Sequence, residues 1–188
     1  MRTLFHHPMA ACRIGLLIAA ALLGWSCQPK PKAPALLDEP VYQSEEGFRF
    51  LVPEGWIMSA RANLPSGPVE KERLLVQYRR AGGDKQATLE VSRMDLPEET
   101  DLATYLSGPS FSARHWQPCA AAEKVEVGGV RGSRFRFTAR VNKAEMAKEV
   151  TAFRRDGRVY FFTVLFSPKD ASAPEQVRRA VGRLVWTK

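Results

Sequence analysis

The chain has 188 residues, of which 45% are hydrophobic and 26% charged, and carries a formal charge of +8. These values suit one globular domain with additional segments and exclude a disordered chain. The positive bias favours anionic surfaces such as phospholipid headgroups, envelope polysaccharides or acidic proteins, and is too modest for a nucleic-acid binder.

Arg2 and Arg13 lead into an apolar run over 14–25 that ends at Ser26-Cys27. A basic start, a short apolar stretch and a small residue at the cut predict a signal peptide over 1–26, and hence export. The run is shorter than the roughly 20 apolar residues that span a bilayer. A start at Met9 leaves a shorter signal that still carries Arg13. The cysteine directly after the cut resembles bacterial lipoprotein signals, in which a diacylglyceride is linked through a thioether to that cysteine. Cys27 is therefore the expected lipidation site, carrying palmitate-type chains as a membrane anchor. Gly24 stands where such signals usually have Leu, and Gly24-Trp25-Ser26 also suits ordinary signal peptidase at the same cut. Cys12 leaves with the signal, so Cys27 and Cys119 remain. Acylation of Cys27 leaves Cys119 alone; without acylation the two can form a disulfide in an oxidising envelope. Gln28 after the cysteine resembles outer-membrane sorting, which points to the periplasmic face of that membrane.

Residues 27–42 read as a proline-rich tether of about 3 Å per residue. Lys30 and Lys32 lie close enough to the anchor to touch anionic headgroups. A single globular domain is expected over 43–188. Phe48, Phe50 and Val52 alternate with Arg49 and Leu51 as a strand, and Pro53-Glu54-Gly55 turns the chain into Trp56. Leu74, Val76 and Tyr78 form an apolar strand face that Ala87, Leu89 and Val91 continue after the turn at 81–84. Thr100 or Asp101 opens a short helix with Leu102, Tyr105 and Leu106 on one face, stopped by Gly108-Pro109.

Val125 and Val127 lead into Gly128-Gly129-Val130-Arg131-Gly132, and Phe135, Phe137, Ala139 and Val141 lead out as a strand. Its other face carries Arg134, Arg136 and Arg140, with Lys124 and Glu126 expected across from them. Asp156-Gly157 is a preferred two-residue hairpin turn. It pairs Phe153 with Tyr160 and Thr151 with Phe162 on one face, and Ala152 with Phe161 on the other. Residues 159–166 are apolar on both faces and predict a central strand covered on both sides. Ser172-Ala173-Pro174-Glu175 reads as a capping box that opens a last helix. Val177, Ala180, Val181 and Leu184 form its apolar stripe, and Arg178, Arg179 and Arg183 are expected to face water.

The order Phe48-x-Phe50-x-Val52-Pro53-x-Gly55-Trp56, then Val127-Gly128-Gly129-x-x-Gly132, then Val159-Tyr160-Phe161-Phe162, then Leu184-Val185-Trp186 resembles the PsbP-like family. Small bacterial lipoproteins of the DcrB kind are similar to it. The resemblance covers roughly 43–188 and implies an α+β fold, an antiparallel sheet sandwiched between helices. It implies binding and assembly rather than catalysis, and carries no site residues with it.

The residues themselves offer little chemistry. His115 and Cys119 suggest a nucleophile pair, but Pro118 interrupts any helix that would align them, so a loop histidine and a partly buried thiol are expected. No spacing suits a metal, and no cofactor is implied. Glu98, Glu99 and Asp101 suit the dipole at a helix start. Gly128-Gly129-Val130-Arg131-Gly132 leads into a strand, not a helix, which makes it a hairpin turn rather than a phosphate loop. Trp116 is expected in the core. Arg134, Arg136, Arg140, Arg178, Arg179 and Arg183 form the candidate basic binding surface. The chain is thus expected to be a non-enzymatic, lipid-anchored envelope module that binds or scaffolds an envelope protein or acidic surface. A carrier of a small apolar or amphipathic ligand is the alternative.

Overall fold

The computed structural model describes residues 40–43, 46–61, 72–80 and 86–187. The signal over 1–26, Cys27 and the tether up to residue 39 lie outside the described residues, as does the turn at 81–84. The last tether positions, 40–42, belong instead to the first strand, β1 (Pro40–Gln43), which pairs antiparallel with β2 (Phe48–Leu51).

The strands that follow are β3 (Trp56–Arg61), β4 (Glu72–Arg80) and β5 (Thr88–Met94). Helix α1 (Leu102–Leu106) comes next, then β6 (Gln117–Pro118), β7 (Glu123–Val127), β8 (Val130–Val141), β9 (Ala144–Arg155) and β10 (Arg158–Phe166). Helix α2 (Ser172–Gly182) and β11 (Val185–Trp186) close the chain. An eight-stranded sheet runs β3-β4-β5-β10-β9-β8-β6, with β7 also paired to β8. A three-stranded sheet runs β1-β2-β11.

Local chemistry explains the hairpins. Asp156 and Gly157 both take positive φ, and Phe153 pairs with Tyr160, Thr151 with Phe162 and Ala152 with Phe161, as the turn type dictates. Gly128 and Gly129 make the same kind of turn. Two turn residues place Val127 opposite Val130, so Glu123 pairs with Arg134, Lys124 with Ser133 and Glu126 with Arg131. The expected partners of the arginine face, Lys124 and Glu126, therefore lie on the other face, and Glu123 takes their place. A register shift between Leu74 and Val76 buries both Leu75 and Val76, where simple alternation would bury one.

β10 lies between β5 and β9 and is buried on both faces. On one face Tyr160, Phe162 and Val164 meet Phe48 and Phe50 of β2 and Val177, Ala180 and Val181 of α2. Trp186 of β11 completes this layer, with its ring centroid 5.5 Å from Tyr160 and 5.6 Å from Phe153. On the other face Val159 and Phe161 pack with Phe135, Phe137, Trp116 and Leu106. Each buried aromatic contributes about 2–3 kcal/mol.

The expected sandwich between helices is met in part. Among the described residues there are two helices, and the sheet dominates. One face is covered by α2 together with the small sheet. The other is covered by α1, five residues long, and irregular chain through Trp116. The helix cannot lengthen because Gly108-Pro109 follow its cap Ser107. The capping box at Ser172 also differs: Asp170 rather than Ser172 supplies the acceptor, taking bonds from Ser172 N (3.2 Å) and Oγ (2.7 Å). Asp170 is buried and ion-paired with Arg80 on β4.

Candidate functional site

Alternation along β8 puts Arg134, Arg136 and Arg140 on the face that looks toward α2. The hairpin between β8 and β9 turns at Asn142 and Lys143, both with positive φ, which sets Arg136 opposite Glu149. Glu149 is 2% exposed. A carboxylate so buried stays charged only when paired and hydrogen-bonded.

Three arginines do this. Arg136 donates from Nε and Nη2 to Oε2 of Glu149, both at 3.2 Å. Arg178 reaches down from α2 and donates from Nε to Oε1 at 2.7 Å and from Nη2 to Oε2. Arg134 Nε lies 3.7 Å from Oε1, while its Nη1 donates to Glu123 at 3.1 Å. The bonds to Glu149 raise the pKa of Arg178, against the effect of burial. Arg178 therefore turns onto the sheet rather than into water as expected. Its side chain and those of Arg134 and Arg136 stay 34%, 19% and 38% exposed.

The other three arginines are not brought to this cluster. Arg140, two positions beyond Thr138 on the same strand face, donates to the carbonyl of Lys143 at 3.4 Å. Arg179 is exposed beside Glu175 at 4.0 Å, and Arg183 is the exposed C-cap of α2. Thr138 and Arg140 line an open groove of about 550 Å³, together with His115, Gln117, Ala139, Lys143 and Glu145. The arginine row of β8 thus leads from the Glu149 cluster into a groove at the sheet edge. A second open groove, about 740 Å³, is lined by Arg131, Arg154 and Arg155 among others. Arg154 and Arg155 serve the fold there: they donate to the carbonyls of Pro97 and Thr100, and of Gly47 and Thr187.

His115 and Cys119 are both exposed. The thiol is not partly buried as expected, because Cys119 continues the edge strand, its N–H bonded to Arg136 O at 3.0 Å. Trp116 is fully buried and donates to Ser110 O at 3.0 Å. Asp101 caps α1; its bonds from Thr104 and from the Ala103 amide lower its pKa. Among the described residues no group of three His, Cys, Asp or Glu side chains suits a metal, and no helix is long and apolar enough to cross a membrane.

Two charged residues escape sequence reasoning, Lys148 and Glu149, both buried in the middle of β9. Asn142-Lys143 is the signal that locates them. Read as a two-residue turn, it sets Glu149 against Arg136 and Lys148 against Phe137. Lys148 Nζ donates to Leu106 O at 2.6 Å and Ser110 Oγ at 3.2 Å, and sits 4.6 Å from the Trp116 ring centre. Burial lowers its pKa to about 8, with Glu72 pulling the other way.

No protein-family model matches the chain, and no curated protein matches it in sequence. Solved structures do. Cyanobacterial PsbP (CyanoP) from Synechocystis sp. PCC 6803 is similar over 79% of this chain and 91% of its own, with TM-score 0.56 and 14% identity. A Pseudomonas aeruginosa protein of unknown function, PA94, is similar over 80% of this chain and 97% of its own, with TM-score 0.52 and 13% identity. A Bacteroides thetaiotaomicron VPI-5482 protein is similar over 80% of this chain but only 48% of its own, with TM-score 0.50 and 9% identity. At such identities the likeness speaks for architecture alone. The chain has a PsbP-like fold.

Proposed function

We propose that this chain is a non-catalytic binding or scaffold module of the bacterial cell envelope, held on a membrane through lipid on Cys27. The periplasmic face of the outer membrane is the location that Gln28 favours. One observation carries the binding role: the arginine row of β8 is joined by Arg178 of α2 and runs on into the groove at Thr138 and Arg140. Arginines held in place by the fold bind an acidic partner at less entropic cost than free surface side chains.

The carrier alternative needs an apolar cavity between sheet and helix. That space holds Phe48, Phe50, Phe153, Tyr160 and Phe162, with neighbouring ring centroids 5.6–6.4 Å apart. A core so filled favours the binding surface over the carrier.

The test is crosslinking in intact cells followed by pull-down of the native chain. A reproducible partner that is lost from an Arg136→Gln, Arg140→Gln double variant supports the reading. Repeated failure to recover any partner overturns it.

A further inference from the structure

The geometry points to a phosphate-binding site: Arg134, Arg136 and Arg178, gathered around Glu149, take a phosphate group of a ligand on the donors that Glu149 leaves unused. This rests on the reading of that face as a binding surface, and names the chemistry of what it binds.

The donor count comes first. A guanidinium carries five N–H bonds, whereas a carboxylate accepts about four. Arg136 and Arg178 already direct four bonds at Glu149, and Arg134 Nε stands 3.7 Å away. Three of these bonds fall on Oε2 and one on Oε1, so Glu149 cannot engage all the donors around it. Among the described residues, Nη1 of Arg136, Nη1 of Arg178 and Nη2 of Arg134 have no protein acceptor. Each carries two hydrogens; Glu149 holds the side chains of Arg136 and Arg178 in place, and Glu123 holds that of Arg134.

Charge leads the same way. Glu175 also acts on Arg178 and is paired with Arg179, so four guanidiniums meet Glu149, Glu123 and Glu175 and one positive charge is left over, while Arg140 and Lys143 outnumber Glu145 along the groove. A buried carboxylate needs one arginine for its two oxygens; a third guanidinium is more than structure requires. Three donor groups on three side chains match the three free oxygens of a phosphate better than the two of a carboxylate. The groove beside the cluster gives the remainder of the ligand a place to lie. Glu149 is then an internal anion that orders the arginines and also holds affinity down, since its charge opposes the ligand's.

The experiment uses the full-length chain purified in mild detergent, with thermal melting followed against inorganic phosphate and against chloride at equal ionic strength. Phosphate should raise the melting temperature with a saturable midpoint. Arg136→Gln and Arg178→Gln should abolish the rise, Arg179→Gln should leave it intact, and Glu149→Gln should tighten the midpoint at least about tenfold. An effect of phosphate no larger than that of chloride overturns the site. So does an Arg179→Gln response as weak as that of Arg136→Gln. If a Gln variant does not fold, Arg136→Lys substitutes for it: lysine keeps the charge but loses the planar fork, and should weaken the midpoint. An unchanged midpoint in that variant counts against the site. The source is separated by comparing phosphatidic acid in the micelle with soluble glycerol phosphate, both monoesters with three free phosphate oxygens. Much tighter binding of the lipid assigns a headgroup, and equal binding assigns a soluble phosphate compound. A crosslinked partner retained by a chain that ignores phosphate sinks this inference alone and leaves the binding module standing.

Discussion

Lys148 Nζ donates to the backbone carbonyl of Leu106 at 2.6 Å and so ties strand β9 to the last turn of helix α1. An amine held under an irregular layer, against Trp116 and Phe137, is costly to keep charged. Burial brings its pKa to about 8, Glu72 opposing. The unfolded chain keeps that proton to the ordinary lysine value of about 10.4. Between roughly pH 8 and pH 10.4 the unfolded chain therefore binds more protons than the folded one, and this group makes stability rise with pH. Urea midpoints of wild type and Lys148→Met, measured from pH 7 to pH 10, should converge on different slopes, with the wild type gaining relative to the variant above pH 8. Parallel curves would refute the assignment.

Asp170 gives the same sign in the acid range: its folded pKa is also lowered, so stability again rises with pH. Burial alone would raise its pKa, but the hydrogen bond from Ser172 and the pairing with Arg80 outweigh this and lower it. A carboxyl lowered in the fold stabilises above its unfolded pKa of about 3.9, and that contribution disappears as pH falls through the folded value. Asp170→Asn should cost about 2 kcal/mol at pH 7. The gap to wild type should close during acid titration below pH 4, followed by circular dichroism.

Gly132 on β8 lies beneath the ring of Phe153, its partner across the ladder. A Cβ there would stand 2.4 Å from Ala152 O and 2.6 Å from Phe153 Cδ1. The obstructing atom is backbone and cannot swing away. Gly132→Ala should therefore lose about 2 kcal/mol or more in chemical denaturation, against about 1 kcal/mol for Gly129→Ser, where space is open and only the positive φ is strained.

What the sequence disclosed was local. The Asp156-Gly157 hairpin and the doubly apolar run of β10 are specified within a dozen residues, and both stand in the structure as read. Helix periodicity turns Arg178 to water because its true partner is distant: Arg178 and Glu149 are 29 residues apart and meet only once α2 packs on the sheet. The register of β9 depends on Asn142-Lys143, a turn that lacks the usual glycine and so sends a weaker signal. Lys148 is buried by a loop whose path no periodicity encodes. Helices on both faces were expected from the resemblance, and the second of them is one turn and a covering loop.

Cys119 is exposed beside the edge strand and has no disulfide partner among the described residues. A maleimide reagent should label it in the folded chain without denaturant, at one equivalent if Cys27 is acylated. Intact-mass spectrometry of the mature chain should then show a diacylglyceryl group on Cys27. A Cys27–Cys119 disulfide, with no labelling until reduction, would overturn the lipid anchor.

The central place of β10 governs how the molecule assembles in time. Among the described residues, the hairpin of β4 and β5 and the block of β6 to β9 have no direct pairing with each other; β10 joins them, by pairing with β5 and β9. Its residues, 158–166, come after nearly all the others in the chain. The two sheet halves therefore cannot unite until β10 is in place, and the contacts that complete the core span more than 60 residues. Folding should be slow and governed by this late closure rather than by any hairpin. A joining strand that follows both halves in the chain leaves each half open until it has formed.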